Sequence, residues 1–397
     1  CQAVEKALKD KEFEKAFALR GNTFAKAYGL VRAFQGIGDA TPPRNDKKMR
    51  IGVIHIGNVS PGMNDAFRAC VRWGISCGHQ MFGIRNGFNG LVLGNVQELG
   101  WEDVKDLTGW AGSWLGTRRT YRTEDFSAAA RVIEHHQLDG VVMIGGWEGY
   151  LCMLDINNSR SLYKGFRNLR LVCLPCTISN NLPRTQWTVG SDTALNVVAK
   201  SLDLLRASAA ASTRLFVVDV LGSCGYNCVM GGIAGGVEAV HIPEEKLNLR
   251  LLEQNMNRIK DGFLGGKEKA VILQGENLGK VFTTSFMRGL FEENSDDLFD
   301  VRTAELGHLQ NGGQPSPQDR MIGAMLGAAC IEALEERGPC KIHCVGWLEN
   351  EPTISTGPEM QIYMDMENRR EYEPWWLKYK PLATQLTLES LRQEEHE

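Results

Sequence analysis

Ile51-Gly52-Val53-Ile54-His55-Ile56 runs without a break into Gly57-Asn58-Val59-Ser60-Pro61-Gly62 and then into a helical pattern from Met63 to Ile75. The first run is short, β-branched and continuously apolar, which marks a strand buried on both faces of a parallel sheet. The second is a glycine-bearing turn. The third opens a helix whose N-terminal N–H groups face whatever lies above the strand end. A strand, a tight turn and a helix in that order make one α/β unit.

The unit repeats in kind along the chain. Further strands are predicted at Gln80–Ile84, Gly140–Ile144, Leu171–Leu174, Leu215–Val220, Ala239–Ile242, Ala270–Gln274, Val301–Glu305 and Ile342–Gly346, with helices at Glu124–His136, Asp192–Ala210, Leu247–Phe263 and Pro317–Glu336. The alternation gives the fold class: α/β, two Rossmann-like lobes with mainly parallel sheets and flanking helices. Residues 1–47 read as an N-terminal helical linker, since Val4, Ala7, Leu8 and Phe13 have helical spacing and Thr41-Pro42-Pro43 ends the pattern. Residues 48–190 with 310–360 are expected to form the larger lobe, 191–309 the smaller one, and 361–397 a C-terminal helical extension.

Composition narrows the classes of function. Among 397 residues, 43% are hydrophobic and 23% charged, as in an ordinary globular protein. No apolar run reaches the roughly 20 residues that span a bilayer, and the start, Cys1-Gln2-Ala3-Val4-Glu5-Lys6, reads as a charged helix rather than a secretory leader. The absence of an initial Met reads as a piece of a longer chain. A net charge of −4 argues against general nucleic-acid binding. The 11 cysteines include Cys173-Leu174-Pro175-Cys176 and the cluster Cys340-Lys341-Ile342-His343-Cys344. Neither has a matching second pair, so both read as buried thiols rather than a metal or redox centre, and the expected compartment is a reducing cytoplasm.

In open parallel sheets, ligands sit at the C-terminal ends of strands. Three runs occupy such ends: the Gly57–Asn64 loop, Gly145-Gly146-Trp147-Glu148-Gly149-Tyr150, and Thr177-Ile178-Ser179-Asn180-Asn181. Together they outline an anion-binding cleft. A phosphoryl-transfer site would also need a base for the acceptor hydroxyl and hard oxygen ligands for a metal.

The runs Pro61-Gly62-Met63-Asn64, Leu115-Gly116-Thr117-Arg118-Arg119, Gly145-Gly146, Pro175–Asn181, Gly190–Asn196 and Gly307–Gly313 occur in the order found in ATP-dependent 6-phosphofructokinases, and residues from about 5 to about 385 resemble that family. With Trp375-Trp376-Leu377-Lys378 and Ala18-Leu19-Arg20-Gly21-Asn22, the chain is similar to the C-terminal half of the animal-type enzyme, a duplicated and fused kinase. The resemblance implies that catalysis, with Mg and ATP, belongs to the N-terminal half. It further implies that this half binds the allosteric activator fructose 2,6-bisphosphate, has no cofactor and no metal of its own, and works in a homo-oligomer beside its N-terminal partner.

Catalytic members carry Thr-Ile-Asp-Asn-Asp and Gly-Gly-Asp-Gly; here Ser179, Asn181 and Trp147 stand at the acid positions. No catalytic residue is therefore expected. Glu148, one residue on, is expected to point away from the cleft. A carboxylate at 179 would oppose a second sugar phosphate, because two like charges about 4 Å apart repel by roughly 4 kcal/mol at an effective dielectric near 20; Ser179 and Asn181 instead offer hydrogen-bond donors.

By resemblance the effector shell comprises Arg119, Thr177, Ile178, Ser179, Asn180, Asn181, Leu221, Gly222, Ser223, Glu276, His308, Leu309, Gln310, Asn311 and Arg369, with Arg214 and Arg302 reaching in from a partner subunit. Glu276 is implied to hold a sugar hydroxyl and His308 a phosphate. Arg68 and Arg72, one helical turn apart, are either the contact of a nucleotide effector, as in bacterial relatives, or a solvated face. Two other functions stay open: an independently active sugar-phosphate kinase with an altered base, and a ligand-free structural half kept for assembly.

Overall fold

The computed structural model describes residues 48–121, 125–336, 338 and 341–386, together with four isolated N-terminal positions, 4, 6, 7 and 15. Apart from those four positions, the expected linker, residues 1–47, and the end of the tail, residues 387–397, lie outside the described residues. Asn45–Glu397 forms one compact unit and Cys1–Arg44 a second.

The main sheet of the larger unit has seven strands in the order β11-β10-β5-β4-β1-β2-β3. β1 (Arg50–Ile56), β2 (Gln80–Ile84), β4 (Gly140–Gly145), β5 (Arg170–Pro175) and β10 (Ile342–Leu348) are parallel. β3 (Val96–Leu99) and β11 (Glu351–Thr356) close the two edges antiparallel. Six of the seven residues of β1 are buried, because apolar clusters cover both faces of the sheet. A second sheet of four parallel strands has the order β7-β8-β6-β9: β6 (Arg214–Val220), β7 (Ala239–His241), β8 (Lys269–Gly275) and β9 (Asp300–Glu305). It too is covered on both faces.

The helices are α1 (Met63–Ser76), α2 (Gly87–Val92), α3 (Phe126–His135), α4 (Trp147–Asn158), α5 (Ser191–Ala210), α6 (Tyr226–Gly235), α7 (Leu249–Leu264), α8 (Thr284–Glu293), α9 (Pro317–Glu336), α10 (Gly357–Ile362) and α11 (Lys380–Gln385). α1 and α9 pack tightly on one face of the main sheet. A methyl group at Gly327 would come within 2.6 Å of the Ala66 carbonyl, so glycine there is what allows the close approach. The C-terminal segment departs from the expected helical extension. Residues 364–371 form a two-stranded hairpin, β12 (Met364–Asp365) with β13 (Arg370–Glu371), and among the described residues it is followed by a 3-10 turn, Leu377–Tyr379, and the short α11. The hairpin brings Arg369 back to the main sheet, while Trp376 and Ala383 fill the core of the smaller sheet.

One carboxylate ties the helices of the two sheets together. Asp319, in the first turn of α9, accepts hydrogen bonds from Gly190 N at 2.8 Å, Thr193 N at 2.7 Å and Thr193 Oγ1 at 2.5 Å. These donors open α5, the helix that leads into the second sheet, and they would otherwise be unmet. Gly190 supports the arrangement with φ +102°, and a Cβ there would strike Ser60 Oγ. Ser316 ties the same ends together, donating to Asp192 Oδ2 at 2.5 Å and accepting from Asp319 N at 3.2 Å.

Burial pushes the Asp319 carboxyl up to about 6 from 3.8, against the lowering effect of the Thr193 and Gly190 hydrogen bonds. A raised folded value favours the protonated acid. It therefore contributes stability that is complete below pH 3.8 and is lost as pH rises through about 6. From about pH 4 to about pH 7 the native chain is expected to lose about 2 kcal/mol relative to Asp319→Asn, taking about 1.36 kcal/mol per pKa unit and an unfolded carboxyl already mostly ionised at pH 4. Denaturant unfolding of both proteins across that range checks this, and a constant difference between them would remove Asp319 as the source.

Candidate functional site

The three sequence runs at strand ends converge. Loops after β1, β5, β6 and β8, the 3-10 turn Gly307–Gln310 after β9, and the β12–β13 hairpin enclose a cleft of about 920 Å³. From the expected shell, Arg119, Thr177, Ile178, Ser179, Leu221, Gly222, Ser223, Glu276, His308, Asn311 and Arg369 line it. Asn181 faces a smaller recess continuous with it, beside Ser179, Glu148 and Arg369.

Each loop is held by its own backbone chemistry. Gly57, at φ +104°, donates to the Arg118 carbonyl at 2.9 Å, and Thr117 Oγ1 donates to the Gly57 carbonyl at 2.9 Å. These bonds set Arg119 at the cleft rim. Asn180 takes the left-handed conformation, φ 48°, which Asn tolerates better than most residues. Its side chain faces inward rather than to the cleft, donating to Gln186 O at 2.9 Å and accepting from Thr188 N at 2.7 Å.

Ser179 and Asn181 have a structural task. Ser179 Oγ accepts from Ser223 N at 3.2 Å and from Ser223 Oγ at 3.0 Å. Asn181 Nδ2 donates to Ser223 Oγ at 3.2 Å and to the Arg369 carbonyl at 2.7 Å. The Thr177–Asn181 loop is thereby bonded to the Leu221–Ser223 loop of the other sheet and to the hairpin. The expectation that both side chains offer free donors is corrected in part. The Asn181 amide hydrogens are engaged, and its buried Oδ1 has no partner; the Ser179 hydroxyl hydrogen is left to donate.

Gln310 and Leu309 also differ from expectation. Gln310 is fully buried; its Oε1 accepts from Leu221 N at 2.7 Å and its Nε2 donates to Leu221 O at 3.2 Å, bracing that loop from behind. Leu309 is 65% exposed and lines neither recess. Both are neighbours of the cleft-lining His308 in a tight turn, and the 3-10 geometry sends successive side chains to different sides.

Glu148 corrects another expectation. Trp147 does not end a strand; it opens α4 and is buried in the apolar cluster beneath the loop. One helical step of about 100° turns Glu148 into the cleft instead of away. Its Oε1 lies 3.2 Å from Arg369 Nη1 and 3.7 Å from Arg119 Nη2. Arg370 also lines the cleft, 3.7 Å from Glu244 and 3.6 Å from Asp365; it carries no sequence signal beyond its place next to Arg369. Glu276 accepts from Gly222 N at 3.3 Å, and burial raises its carboxyl above the ordinary value.

Four arginines lie elsewhere. Arg214 begins β6 and Arg302 is the third residue of β9, both in the strand halves away from the cleft loops, and Arg302 pairs with Asp300 at 3.3 Å. Arg68 and Arg72 sit on α1. Arg72 stacks on Trp101, 4.6 Å above the ring, and Arg68 is half-buried near Asp65. The nine described cysteines, Cys173 and Cys176 included, are buried free thiols. Among the described residues, no group of three or more His, Cys, Asp or Glu is placed to hold a metal ion, and no helix is long and apolar enough to cross a membrane.

Gln310→Ala should destabilise the chain by roughly 2–3 kcal/mol, because it leaves both backbone groups of Leu221 without partners. Leu309→Ala should stay within about 0.5 kcal/mol of the parent. Chemical unfolding separates the two, and equal effects would contradict the assigned orientations.

Comparison with known proteins places this architecture. The profile of the Phosphofructokinase family matches residues 50–334. Human ATP-dependent 6-phosphofructokinase, platelet type, is 34% identical over 397 residues, and the human liver type 32% over 398; each match covers 96% of this chain and 50% of the relative. The chain thus spans about half the length of these relatives. The phosphofructokinase structure from Saccharomyces cerevisiae superposes with a TM-score of 0.82 at 30% identity, covering 97% of this chain and 54% of that one. That of Pichia pastoris phosphofructokinase in the T-state gives 0.81 at 27%, covering 97% and 45%. A family profile spanning most of the chain, on a fold shared with solved members, shows that this chain belongs to the phosphofructokinase family.

Proposed function

We propose that the chain is the regulatory, C-terminal half of a duplicated glycolytic 6-phosphofructokinase, and that its cleft binds fructose 2,6-bisphosphate without performing phosphoryl transfer. The whole enzyme would convert fructose 6-phosphate and ATP to fructose 1,6-bisphosphate in the cytoplasm, with Mg and ATP bound in the N-terminal half. The observation that carries this reading is the composition of the cleft. Arg119, Arg369, Arg370 and His308 line it, while Ser179 and Asn181 occupy the acid positions and Trp147 is buried. Arginine forks suit phosphate, and a base of the required type is missing from the loop that would supply it.

One observation favours the second reading, an active kinase with an altered base: Glu148 places a carboxylate in the cleft. Its two arginine partners count against it, since a carboxylate held by Arg369 at 3.2 Å and Arg119 at 3.7 Å is not placed to accept a proton from a substrate hydroxyl. The structural-half reading has to accommodate two arginines, Arg119 and Arg369, that converge on the cleft and share the single carboxylate of Glu148.

Calorimetric titration tests the proposal. The bisphosphate should bind at least tenfold more tightly than fructose 6-phosphate, and Ser179→Asp should narrow or reverse that preference through like-charge repulsion. No heat with either sugar in a folded preparation would rule out the reading. The partner-subunit role proposed for Arg214 and Arg302 is tested in the same titration: Arg302→Ala should weaken the bisphosphate about tenfold or more, the loss of a charge-assisted contact. Unchanged affinity would take Arg302 out of the site.

A further inference from the structure

The Glu148 carboxylate lies where an incoming phosphate would need the Arg119 and Arg369 guanidinium groups. It is 18% exposed, whereas the arginine side chains are 62% and 49% exposed. A methyl group at Gly57 would fall 3.3 Å from Glu148 Oε2, so the carboxylate spans from the first loop to the hairpin. Arg369 is further fixed from behind: its backbone is left-handed, φ 54°, and its carbonyl is held by Asn181. The guanidinium end is the part free to change partner.

We propose that Glu148 is an internal competitor, a side chain that neutralises the arginine pair when no ligand is bound and sets which anions can occupy it. The proposal rests on the anion-binding reading of this cleft and names how that site selects its ligand. With the carboxylate in place, Arg119, Arg369 and Glu148 sum to a single positive charge. With it withdrawn, the pair presents two, the charge that matches a phosphate dianion. A monoanionic carboxylate gains nothing by replacing another carboxylate already held at short range. A dianionic phosphate, with three acceptor oxygens for two forked donors, does gain. Partly exposed ion pairs are weak and exchange readily, so the carboxylate can yield without disrupting the fold. Glu148 acts on the ligand through the arginines it touches, and is therefore a positioning residue.

Glu148→Gln keeps the shape and removes the charge. Calorimetry with fructose 2,6-bisphosphate and, separately, with inorganic pyrophosphate should show about tenfold tighter binding than in the parent chain. In an Arg369→Ala background the gain from Glu148→Gln should fall to within about twofold, a coupling that a merely structural role would not produce. Glu148→Asp, with the charge kept and the reach shortened, should lie between parent and Gln variant; it also serves if the Gln variant folds poorly, which thermal melting reports. Unchanged or weaker binding of both probes by Glu148→Gln would overturn the inference while leaving the proposed function standing if the parent binds the bisphosphate. Tighter pyrophosphate binding with no bisphosphate binding by either protein would support the competitor role and defeat the proposed ligand.

Discussion

The carboxylate of Asp319 is the fixed point on which the cleft depends. It belongs to α9, which packs on the main sheet beside α1, and it caps α5, which leads into the smaller sheet. Removing a buried acceptor from three donors costs far more than any surface contact returns. Around this point the second connection forms, from Ser179 and Asn181 to Ser223 and the Arg369 carbonyl. The cleft floor is therefore a hydrogen-bonded seam between two sheets, and the cations on its walls are held by that seam rather than by one another.

This arrangement suggests why a site can lose acids and keep its shape. An aspartate at 179 would accept from Ser223 N and Ser223 Oγ as serine does, so the seam does not require the charge. At 181 the amide donates to a backbone carbonyl, which a carboxylate cannot do. The amide at 181 is therefore a brace of Arg369. Two carboxylates at the cleft are engaged, Glu148 with arginines and Glu276 with the Gly222 amide, and Glu244 behind the wall holds Gly225 N and Arg370.

How much of this is legible in the sequence depends on the physics of each element. β1, β4, β5, β6 and β8 can be read to within a residue at each end because strands buried on both faces are continuously apolar. The edge strands β3, Val-Gln-Glu-Leu, and β11, Glu-Pro-Thr-Ile-Ser-Thr, escape, since half-exposed short strands carry polar residues and Pro. α4 escapes for the opposite reason: eight of its twelve residues are buried, so it lacks a polar face to give helical periodicity. That omission is what misdirects Glu148. α6, Tyr-Asn-Cys-Val-Met-Gly-Gly-Ile-Ala-Gly, reads as a loop because its glycines are needed for close packing against Leu202 and Val240. Of the site, the cleft-lining residues come from the order of family motifs, which cannot tell a side chain that lines a cavity from one, like Gln310, that braces the loop behind it.

The central claim is that the cleft retains anion recognition without phosphoryl transfer, and the most direct measurement is a coupled assay of ADP release by the isolated chain supplied with fructose 6-phosphate, ATP and magnesium, in a preparation free of any other kinase. Loss of a positioned base alone lowers rates by about 10²–10⁴. The account predicts release no faster than the buffer control, with Glu148→Gln giving the same rate. A sugar-dependent turnover of about 1 s⁻¹, within the ordinary range for kinases, abolished by Glu148→Gln, would contradict it and make Glu148 the base.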